Sequence, residues 1–282
     1  MSLRARGSSR WARWWTWTLL CLVIGFIAFY GVWRLDGGRW ERVETPSMGT
    51  VAPVGTLLWV KPVPFESLRA GDFITFHPPG RPETTYSHRV LARNADGTLM
   101  TKGVISAPDP WRLTAKDVVG RVQMRWRGIG WLVAATPVLL IGSALVIGVR
   151  ALAAPHWRGP VVIVLGSVVL TVAIMWLRPL VNAEQLAFAP APDGGADATY
   201  VGTGLLPVRL AAHDGAEVVM RTGEIGHVHV SAADDHGRLR VTLSSAPPWW
   251  FWIALFSMCF APALWCTATG AFATRRAERP AE

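Results

Sequence analysis

Four long runs of apolar residues without charged side chains are the feature that most constrains this chain. They extend from Trp14 to Trp33, from Ile129 to Val149, from Pro160 to Leu177 and from Trp249 to about Ala273. A helix needs roughly 20 apolar residues to cross the hydrocarbon core of a bilayer. We therefore predict a membrane protein with four transmembrane helices, at 14–33, 129–149, 160–177 and 249–273.

The first apolar run has an alternative reading as a secretory signal peptide. Such a peptide has a shorter apolar core and ends in a small-x-small cleavage site. This run continues through Phe29 and Tyr30, and no such site follows it. We expect a retained membrane anchor.

Arginines beside the apolar runs predict the orientation of the chain. They cluster in segments 1–13 and 274–282 and in the turn between the second and third runs (Arg4, Arg6, Arg10, Arg13, Arg150, Arg158, Arg275, Arg276 and Arg279). The positive-inside rule places these segments in the cytoplasm and segments 34–128 and 178–248 outside. This clustering also accounts for the formal net charge of +9, so we expect no nucleic-acid partner.

Three further arginines, Arg121, Arg125 and Arg127, precede the second run on its predicted outer side. They conflict with the orientation given above. The rule has less force for long translocated domains, and we keep the orientation for that reason.

Both outward segments have the pattern of β-structure. Short stretches rich in β-branched and aromatic residues alternate with Pro, Gly, Asn or Asp. In 34–128 these stretches are TLLWVKPV, DFITFH, TYSHRVLAR, TLMTKG and DVVGRVQMRW, and in 178–248 they are ATYVGTG, LPVRLAA, AEVVMRT, IGHVHVSA and LRVTLSS. The second segment opens on APAPDGGADA, which resembles a linker in which Asp193 is solvated. We expect two β-rich extracytoplasmic domains, the second accessory to the first.

Cysteine and histidine positions give little support for a metal site. All three cysteines lie inside apolar runs, so we expect neither a disulfide framework nor a cysteine-bound metal (Cys21, Cys259 and Cys266). His227 and His229 would share one face of a strand, with further polar groups nearby (Asp234, Asp235 and His236). A metal site there remains a minor alternative to a solvated strand face.

An ordered series of short motifs runs through the first outward segment. It consists of PSM at 46–48, GDFITF at 71–76, SHRV at 87–90, TKG at 101–103, PDPW at 108–111 and VGRV at 119–122. Their order, their spacing and the preceding anchor resemble the type I signal peptidases. The resemblance covers residues 14–150 and is closest to the Ser-His branch found in the endoplasmic reticulum, archaea and Gram-positive bacteria.

The resemblance implies a function and a set of site residues. In that family a serine before methionine is the nucleophile, and the position before Arg-Val holds the general base. By position, Ser47 is the nucleophile, His88 the base and Asp109 the acidic partner. The family resemblance implies a membrane-bound serine endopeptidase that removes signal peptides from exported precursors. Its partners would be those precursors and the lipid bilayer, with any partner subunit undetermined, and it would need no metal or organic cofactor.

The chemistry of these residue types agrees with that reading. A serine hydroxyl is a weak nucleophile and needs a neighbouring base. Histidine, with an ordinary pKa near 6.5, can accept a proton at neutral pH and return it to a leaving amine. A carboxylate on the second ring nitrogen fixes the tautomer. On the predicted strand, alternation places His88 on one face with Tyr86 and Val90, and Arg89 on the other.

Two positions depart from the family pattern and keep other functions open. The proline of Ser-Met-x-Pro is absent, since Gly49 and Thr50 follow Met48, and Val104 replaces the acid expected after TKG. These departures favour the alternative of a catalytically inactive relative that binds or scaffolds exported chains. Lys102, and less so Lys61, keeps a Ser-Lys mechanism open. Spans without charged residues argue against a transport pathway.

Overall fold

The computed structural model describes residues 6–234, 236–257 and 260. It divides into two compact units, Met1–Leu177 and Arg178–Glu282. The first unit contains helix α1 (Arg6–Leu35), then strands β1 (Arg39–Arg42), β2 (Leu57–Lys61), β3 (Phe73–Phe76), β4 (Tyr86–Arg93), β5 (Leu99–Lys102) and β6 (Val118–Trp126), and then helices α2 (Ile129–Leu152) and α3 (Arg158–Leu177).

The six strands of the first unit form one antiparallel sheet in the order β1-β2-β6-β3-β4-β5. The five strands expected from the sequence of this segment are confirmed. Strand β1 is an addition that composition does not announce, because its sequence RWER is mostly charged. It forms as an edge strand by pairing with β2, where Trp40 lies opposite Trp59. Strand formation here depends on the neighbouring strand rather than on propensity.

The two faces of the β1-β2-β6 part of the sheet have different cover. Leu58 and Val60 lie on one face and pack against Met48 and Ala52 of the β1–β2 loop. Trp59 points to the other face, where its ring lies 5.4 Å from that of Phe29 in α1. Because side chains alternate along a strand, one strand is contacted by the helix on one face and by the loop on the other.

Two of the four predicted spans are helices long and apolar enough to cross a membrane. They are Ile129–Leu152 and Pro155–Leu177, the latter formed by α3 and the 3₁₀ turn before it. Only 17% and 6% of their apolar windows are buried, whereas a core helix would be mostly covered. They pack against each other, and Gly142 gives Val169 room for close contact. Their apolar outer surfaces therefore need lipid or another apolar cover.

The prediction of four transmembrane helices is not supported by the structure. Helix α1 covers the predicted span 14–33 and also takes in residues 6–13 of the predicted tail, because polar residues extend the helix beyond the apolar run. Within α1, the described part of the chain gives an apolar stretch over Ile24–Leu35, which by itself is shorter than the roughly 20 residues of a spanning helix. Residues 249–257 and 260 are helical, and the rest of the predicted span 249–273 lies outside the described residues, as does 274–282.

The second unit is a small β-sandwich. Its strands are β7 (Ala183–Pro190), β8 (Ala196–Gly202), β9 (Val208–Ala212), β10 (Glu217–Met220), β11 (Ile225–Val230) and β12 (Val241–Ser245). They form two three-stranded sheets, β11-β8-β7 and β10-β9-β12. Tyr200 and Val228 of one sheet and Leu210 and Met220 of the other share one buried cluster. The five strands expected in this segment are confirmed.

The predicted linker APAPDGGADA is not a linker. Its ends belong to β7 and β8, which pair with each other, and its middle is the hairpin turn between them. Gly194 adopts φ 87° in that turn, and Ala191 N–H donates to the Gly195 carbonyl over 2.9 Å. The composition of small residues and proline misled the prediction, because pairing with β8 orders a stretch that has little strand propensity of its own.

Candidate active site

Ser47 lies in the β1–β2 loop, in a 3₁₀ turn over Pro46–Met48. Met48 anchors the turn, since its side chain is buried in the cluster beneath the sheet. A second contact fixes the main chain, because Ile105 N–H donates to the Ser47 carbonyl over 3.0 Å. The turn thus has a buried side chain on one side and a loop contact on the other, while Ser47 itself stays partly exposed.

His88 lies in β4 with its side chain inside the domain. The rings of Phe76 and Tyr86 meet the imidazole edge-on, at centroid distances of 6.2 and 5.7 Å. Alternation along the strand places it on the buried face with Val90, as the sequence predicts. The ring is therefore held by packing, and its orientation is fixed before any hydrogen bond is considered.

Three side chains from separate parts of the chain form one line of hydrogen bonds. Asp109 Oδ2 lies 2.7 Å from His88 Nδ1, and Ser47 Oγ lies 2.9 Å from His88 Nε2. A carboxylate can only accept, so Nδ1 carries the proton and Nε2 accepts from the serine hydroxyl. The structure brings together all three residues that the motifs single out. This tautomer is the one in which Nε2 can act as a base toward Ser47.

Burial differs along this line of side chains. The His88 and Asp109 side chains are only 4% and 8% exposed, whereas Ser47 is reached from solvent. An ion pair formed between the histidine and aspartate during a proton transfer would be little screened by water. The site therefore combines an accessible hydroxyl with a shielded imidazole and carboxylate.

Asp109 is the only carboxylate that meets His88 among the described residues. Thr101 Oγ1 donates to its Oδ2 over 2.6 Å, and Asp109 N–H donates to the Thr101 carbonyl over 2.8 Å. Val104, which stands where the family pattern has an acid, is 43% exposed in the loop between them. The absence of an acid at that position therefore does not leave the imidazole without a carboxylate.

The lysines considered as alternative bases lie elsewhere. Lys102 pairs with Arg89 across β4 and β5, so it occupies the sheet face opposite to His88. Lys61 forms an ion pair with Asp36 at 3.2 Å. In the described part of the chain, the side-chain hydrogen-bond partners of Ser47 are His88 and, at 3.4 Å, the Thr45 hydroxyl. The geometry favours histidine over lysine as the base.

A cleft of about 430 Å³ opens directly onto Ser47 and His88. Its walls are residues 41–45 with Ser47 and Met48 on one side and residues 83–88 on the other. Glu41, Glu44 and Glu83 contribute carboxylates to this cleft. Burial raises the pKa of Glu41, and the nearby charge of Arg39 partly offsets that rise. The cleft thus lies between two chain segments and leaves the Ser47 hydroxyl accessible.

The three arginines that conflict with the predicted orientation all bind groups of the first unit. Arg121 lies 3.8 Å from the Asp72 carboxylate. Arg125 and Arg127 donate to main-chain carbonyls of the loop that follows Ser47. These contacts give the three arginines a structural role within the first unit, so they need not report topology.

Sequence reasoning missed four residues that contact this site or its loop: Thr45, Thr101, Arg125 and Arg127. The signal for Thr101 was present, because it belongs to the TKG motif and alternation on β5 directs it to the same face as Val90, its partner across β4. Thr45 immediately precedes the motif PSM. The two arginines bind main-chain carbonyls. Every residue has such a carbonyl, so the sequence does not show which one accepts the hydrogen bond.

The histidines of the second unit bind neighbouring side chains. His227 Nδ1 lies 3.0 Å from the Thr199 hydroxyl. Both ring nitrogens of His229 meet carboxylates, Asp197 at Nδ1 and Asp193 at Nε2, each over 2.8 Å. Hydrogen bonds that the imidazole donates to these carboxylates, that to Asp197 first, raise the pKa of His229. Asp234 accepts from main-chain N–H groups of its own turn, and Asp235 lies outside the described residues.

Comparison with known proteins adds no family to these observations. The chain matches no protein-family model, and no curated protein matches it significantly. Functional reasoning therefore depends on the ordered motifs and on the geometry of the site.

Proposed function

We propose that this protein is a membrane-bound serine endopeptidase that cleaves signal peptides from exported proteins. Ser47 is its nucleophile, His88 its general base and Asp109 the carboxylate that orients the imidazole. The observation that carries the proposal is the unbroken line from the Ser47 hydroxyl through both nitrogens of His88 to Asp109, at 2.9 and 2.7 Å. Such a constellation is recognised by geometry and roles rather than by fold.

The proposed reaction proceeds in two steps. Ser47 Oγ attacks the carbonyl carbon of the scissile peptide bond while its proton passes to His88 Nε2. The tetrahedral intermediate then loses its amine, which takes that proton from His88, and an acyl-enzyme remains. In the second step His88 deprotonates a water molecule, which attacks the ester carbonyl, releases the new carboxylate and returns Ser47 to its hydroxyl form.

Two donors lie near the position where negative charge would develop. The Ser47 main-chain N–H belongs to the first turn of the 3₁₀ helix, where N–H groups lack helical acceptors. The Thr45 hydroxyl lies 3.4 Å from Ser47 Oγ. Donors of this kind stabilise a tetrahedral oxyanion, each by about 3 kcal/mol in other enzymes.

The substrate class follows from where such a site would sit. In this proposal the chain crosses the bilayer at 14–33, 129–149, 160–177 and 249–273, with both termini cytoplasmic and segments 34–128 and 178–248 outside. Two apolar, largely unburied helices support a membrane location, and one of them begins at Ile129, directly after the catalytic sheet. A leader's cleavage site follows its apolar core, so it emerges at the same level as Ser47.

The test is cleavage of a leader-bearing precursor by the full chain in proteoliposomes. The parent should release a product whose new amino terminus follows the leader, as read by mass spectrometry. Ser47→Ala and His88→Ala should abolish release, because each removes one end of the proton transfer. Ser67→Ala and His213→Ala change the same residue types outside the cleft and should cleave at the parent rate. Cleavage that persists in either site variant would refute the proposed mechanism.

The alternative is a relative without catalytic activity that binds exported chains. The departures at Thr50 and Val104 from the family pattern favour it. In the same experiment, a parent that binds the precursor but never cleaves it, behaving like Ser47→Ala, would support this alternative instead.

A further inference from the structure

The loop that follows Ser47 contains a glycine, Gly49, in a backbone conformation that only glycine adopts readily. Gly49 adopts φ 51° and ψ −134°, a conformation that other residues avoid. After this glycine, the carbonyls of Thr50 and Val51 accept no main-chain hydrogen bond among the described residues. The residue that directly follows Ser47-Met48 therefore has few steric limits on its backbone angles. The carbonyls of Thr50 and Val51 depend on side chains for hydrogen bonds, whereas Val51 N–H donates to the Met48 carbonyl over 3.1 Å.

Two arginines supply those hydrogen bonds. Arg127 Nη2 donates to the Thr50 carbonyl over 2.7 Å, and Arg125 Nη1 donates to the Val51 carbonyl over 3.0 Å. The partners are 77 and 74 positions apart in sequence. Consecutive carbonyls of the loop are therefore bound by two guanidinium groups from one distant segment.

The segment that supplies the arginines is itself fixed. Arg125 lies opposite Leu58 in the β2–β6 ladder, on the face that the loop covers. Trp126 points to the other face and stacks on Trp59, with ring planes 16° apart. Arg125 lies near the end of this strand and Arg127 directly after it, so their guanidinium groups extend from a fixed segment, and planar donors hold a carbonyl in a defined direction.

We propose that Arg125 and Arg127 are positioning residues that hold the Ser47 loop so that its hydroxyl stays aligned with His88. This assignment rests on the proposed function. They do not touch the reacting atoms, and they act by fixing the two peptide groups beyond Gly49. Without them the carbonyls of Thr50 and Val51 lose their hydrogen-bond donors, the loop beyond the glycine can shift, and the fraction of molecules with Ser47 Oγ within reach of Nε2 falls. Misplacement by about 1 Å is enough to slow an enzyme greatly.

A different role for these arginines makes a different prediction. Both are exposed and stand just before α2, so they could serve to bind lipid headgroups at the membrane surface. A headgroup role requires anionic lipid and has no effect on the reactivity of Ser47 in a neutral detergent. The positioning role acts in either environment. Measurements in neutral detergent separate the two.

The experiment compares Arg125→Gln/Arg127→Gln with the parent in neutral detergent. The readouts are kcat and KM for precursor cleavage, the rate of Ser47 labelling by a fluorophosphonate, and Tm. We expect kcat and the labelling rate to fall roughly tenfold or more while KM changes little, because alignment rather than binding is lost. Arg127→Lys should retain part of the rate, since an ammonium still donates one hydrogen bond.

Arg121→Gln is the matched control, because Arg121 lies in the same strand but binds Asp72. It should leave kcat at the parent value. Parent-level kcat and labelling in the double variant would overturn this assignment and leave the proposed function intact. If Arg121→Gln lowers Tm and kcat as much as the double variant does, the loss reflects a general effect on the sheet. That result would overturn the positioning role as well. A parent that neither cleaves nor is labelled would refute the proposed function, and the assignment with it.

Discussion

Thr101 holds Asp109 through two hydrogen bonds: its hydroxyl donates to the carboxylate, and its carbonyl accepts from the Asp109 N–H. The hydroxyl lies 2.6 Å from the same oxygen, Oδ2, that accepts from His88 Nδ1. The main-chain hydrogen bond from Asp109 N–H to the Thr101 carbonyl, 2.8 Å long, ties the loop after β5 back to that strand. The carboxylate is thereby fixed in direction before it meets the imidazole. The orientation of the base depends on a residue that never contacts Ser47.

The first prediction concerns this support of Asp109. Thr101→Val keeps the shape of the side chain but removes a hydrogen bond to a charged group, a bond worth about 1.5–3 kcal/mol. If that energy orients the carboxylate, kcat should fall roughly tenfold to a hundredfold, with KM little changed. Cleavage kinetics of a leader-bearing precursor give both constants.

Thr98→Val is the matched control for that substitution. Thr98 also donates its hydroxyl to an aspartate, Asp96, over 2.6 Å, but at an exposed turn. Its loss should leave kcat unchanged. Equal effects of the two substitutions would mean that Thr101 contributes only to general stability.

The second prediction concerns the close contact between the TKG loop and Ser47. A Cβ added at Gly103 would lie 2.7 Å from the Ser47 carbonyl oxygen and 3.2 Å from Ser47 Cβ, and it would overlap Ser106 Oγ. Gly103→Ala should therefore displace the serine and reduce fluorophosphonate labelling by roughly a hundredfold. Labelling rates, measured beside Tm, separate misalignment from unfolding.

A second substitution shows which of these contacts matters. Ser106 has a buried hydroxyl without a hydrogen-bond partner in the described part of the chain, so Ser106→Ala alone should not lower Tm. In the Gly103→Ala background it removes one overlap but leaves the contact with the Ser47 carbonyl. Labelling should stay low in the double variant, and full recovery would contradict the displacement of Ser47.

The three residues of the candidate site could be singled out because each belongs to a short motif whose order and spacing can be seen in the sequence. Ser47, His88 and Asp109 come from PSM, SHRV and PDPW, and folding joins them across 41 and 21 positions. Alternation along TYSHRVLAR also gave the buried face of His88 correctly. The motifs identify the residues, and the alternation of side chains along a strand predicts which face of the sheet each side chain occupies.

The parts that could not be predicted depend on partners distant in sequence. Strands β1 and β7 form by pairing with β2 and β8, and their own residues do not favour a strand. Arg125 and Arg127 bind main-chain carbonyls, which every residue possesses, so no residue type identified the acceptor. Hydropathy located apolar runs, but the ends of α1 depend on where its backbone hydrogen bonds stop.

The third prediction concerns the attachment of α1 to the six-stranded sheet of the first unit. Trp59 is 4% exposed, and its ring contacts those of Phe29, Trp33, Trp40 and Trp126. Trp59→Ala should lower the free energy of unfolding by about 3–5 kcal/mol, as for other buried aromatic residues. Denaturation of the full chain in detergent micelles would measure this loss.

Trp59→Phe provides the control for the aromatic cluster. Trp59 Nε1 is buried without a partner among the described residues, so phenylalanine keeps ring contacts and removes an unsatisfied donor. Its effect should be well below half that of alanine. If both variants unfold at the parent concentration of denaturant, the cluster does not secure α1.

The last prediction concerns pH and the β7–β8 hairpin. His229 joins the two carboxylates of this hairpin, and the hydrogen bonds that its ring donates to Asp197 and then to Asp193 raise the pKa of the imidazole. A raised folded-state pKa means that the folded chain binds the proton more tightly than the unfolded chain. The stabilisation is therefore complete below the unfolded value of about 6.5 and is lost as pH rises through the raised pKa of His229.

Hydrogen exchange of residues 190–196 in the full chain measures this effect, with rates corrected for the intrinsic pH dependence. His229→Asn should exchange faster than the parent at pH 5.5, and the difference should shrink toward pH 8.5. Asp193 stays ionised over this range, because the Gly195 N–H, followed by His229, lowers its pKa. His227→Asn is the matched control, since the side-chain partner of His227 among the described residues is the uncharged Thr199 hydroxyl, and the variant should differ from the parent equally at both pH values. A gap between His229→Asn and parent that stays constant with pH would show that the imidazole acts by packing rather than by charge.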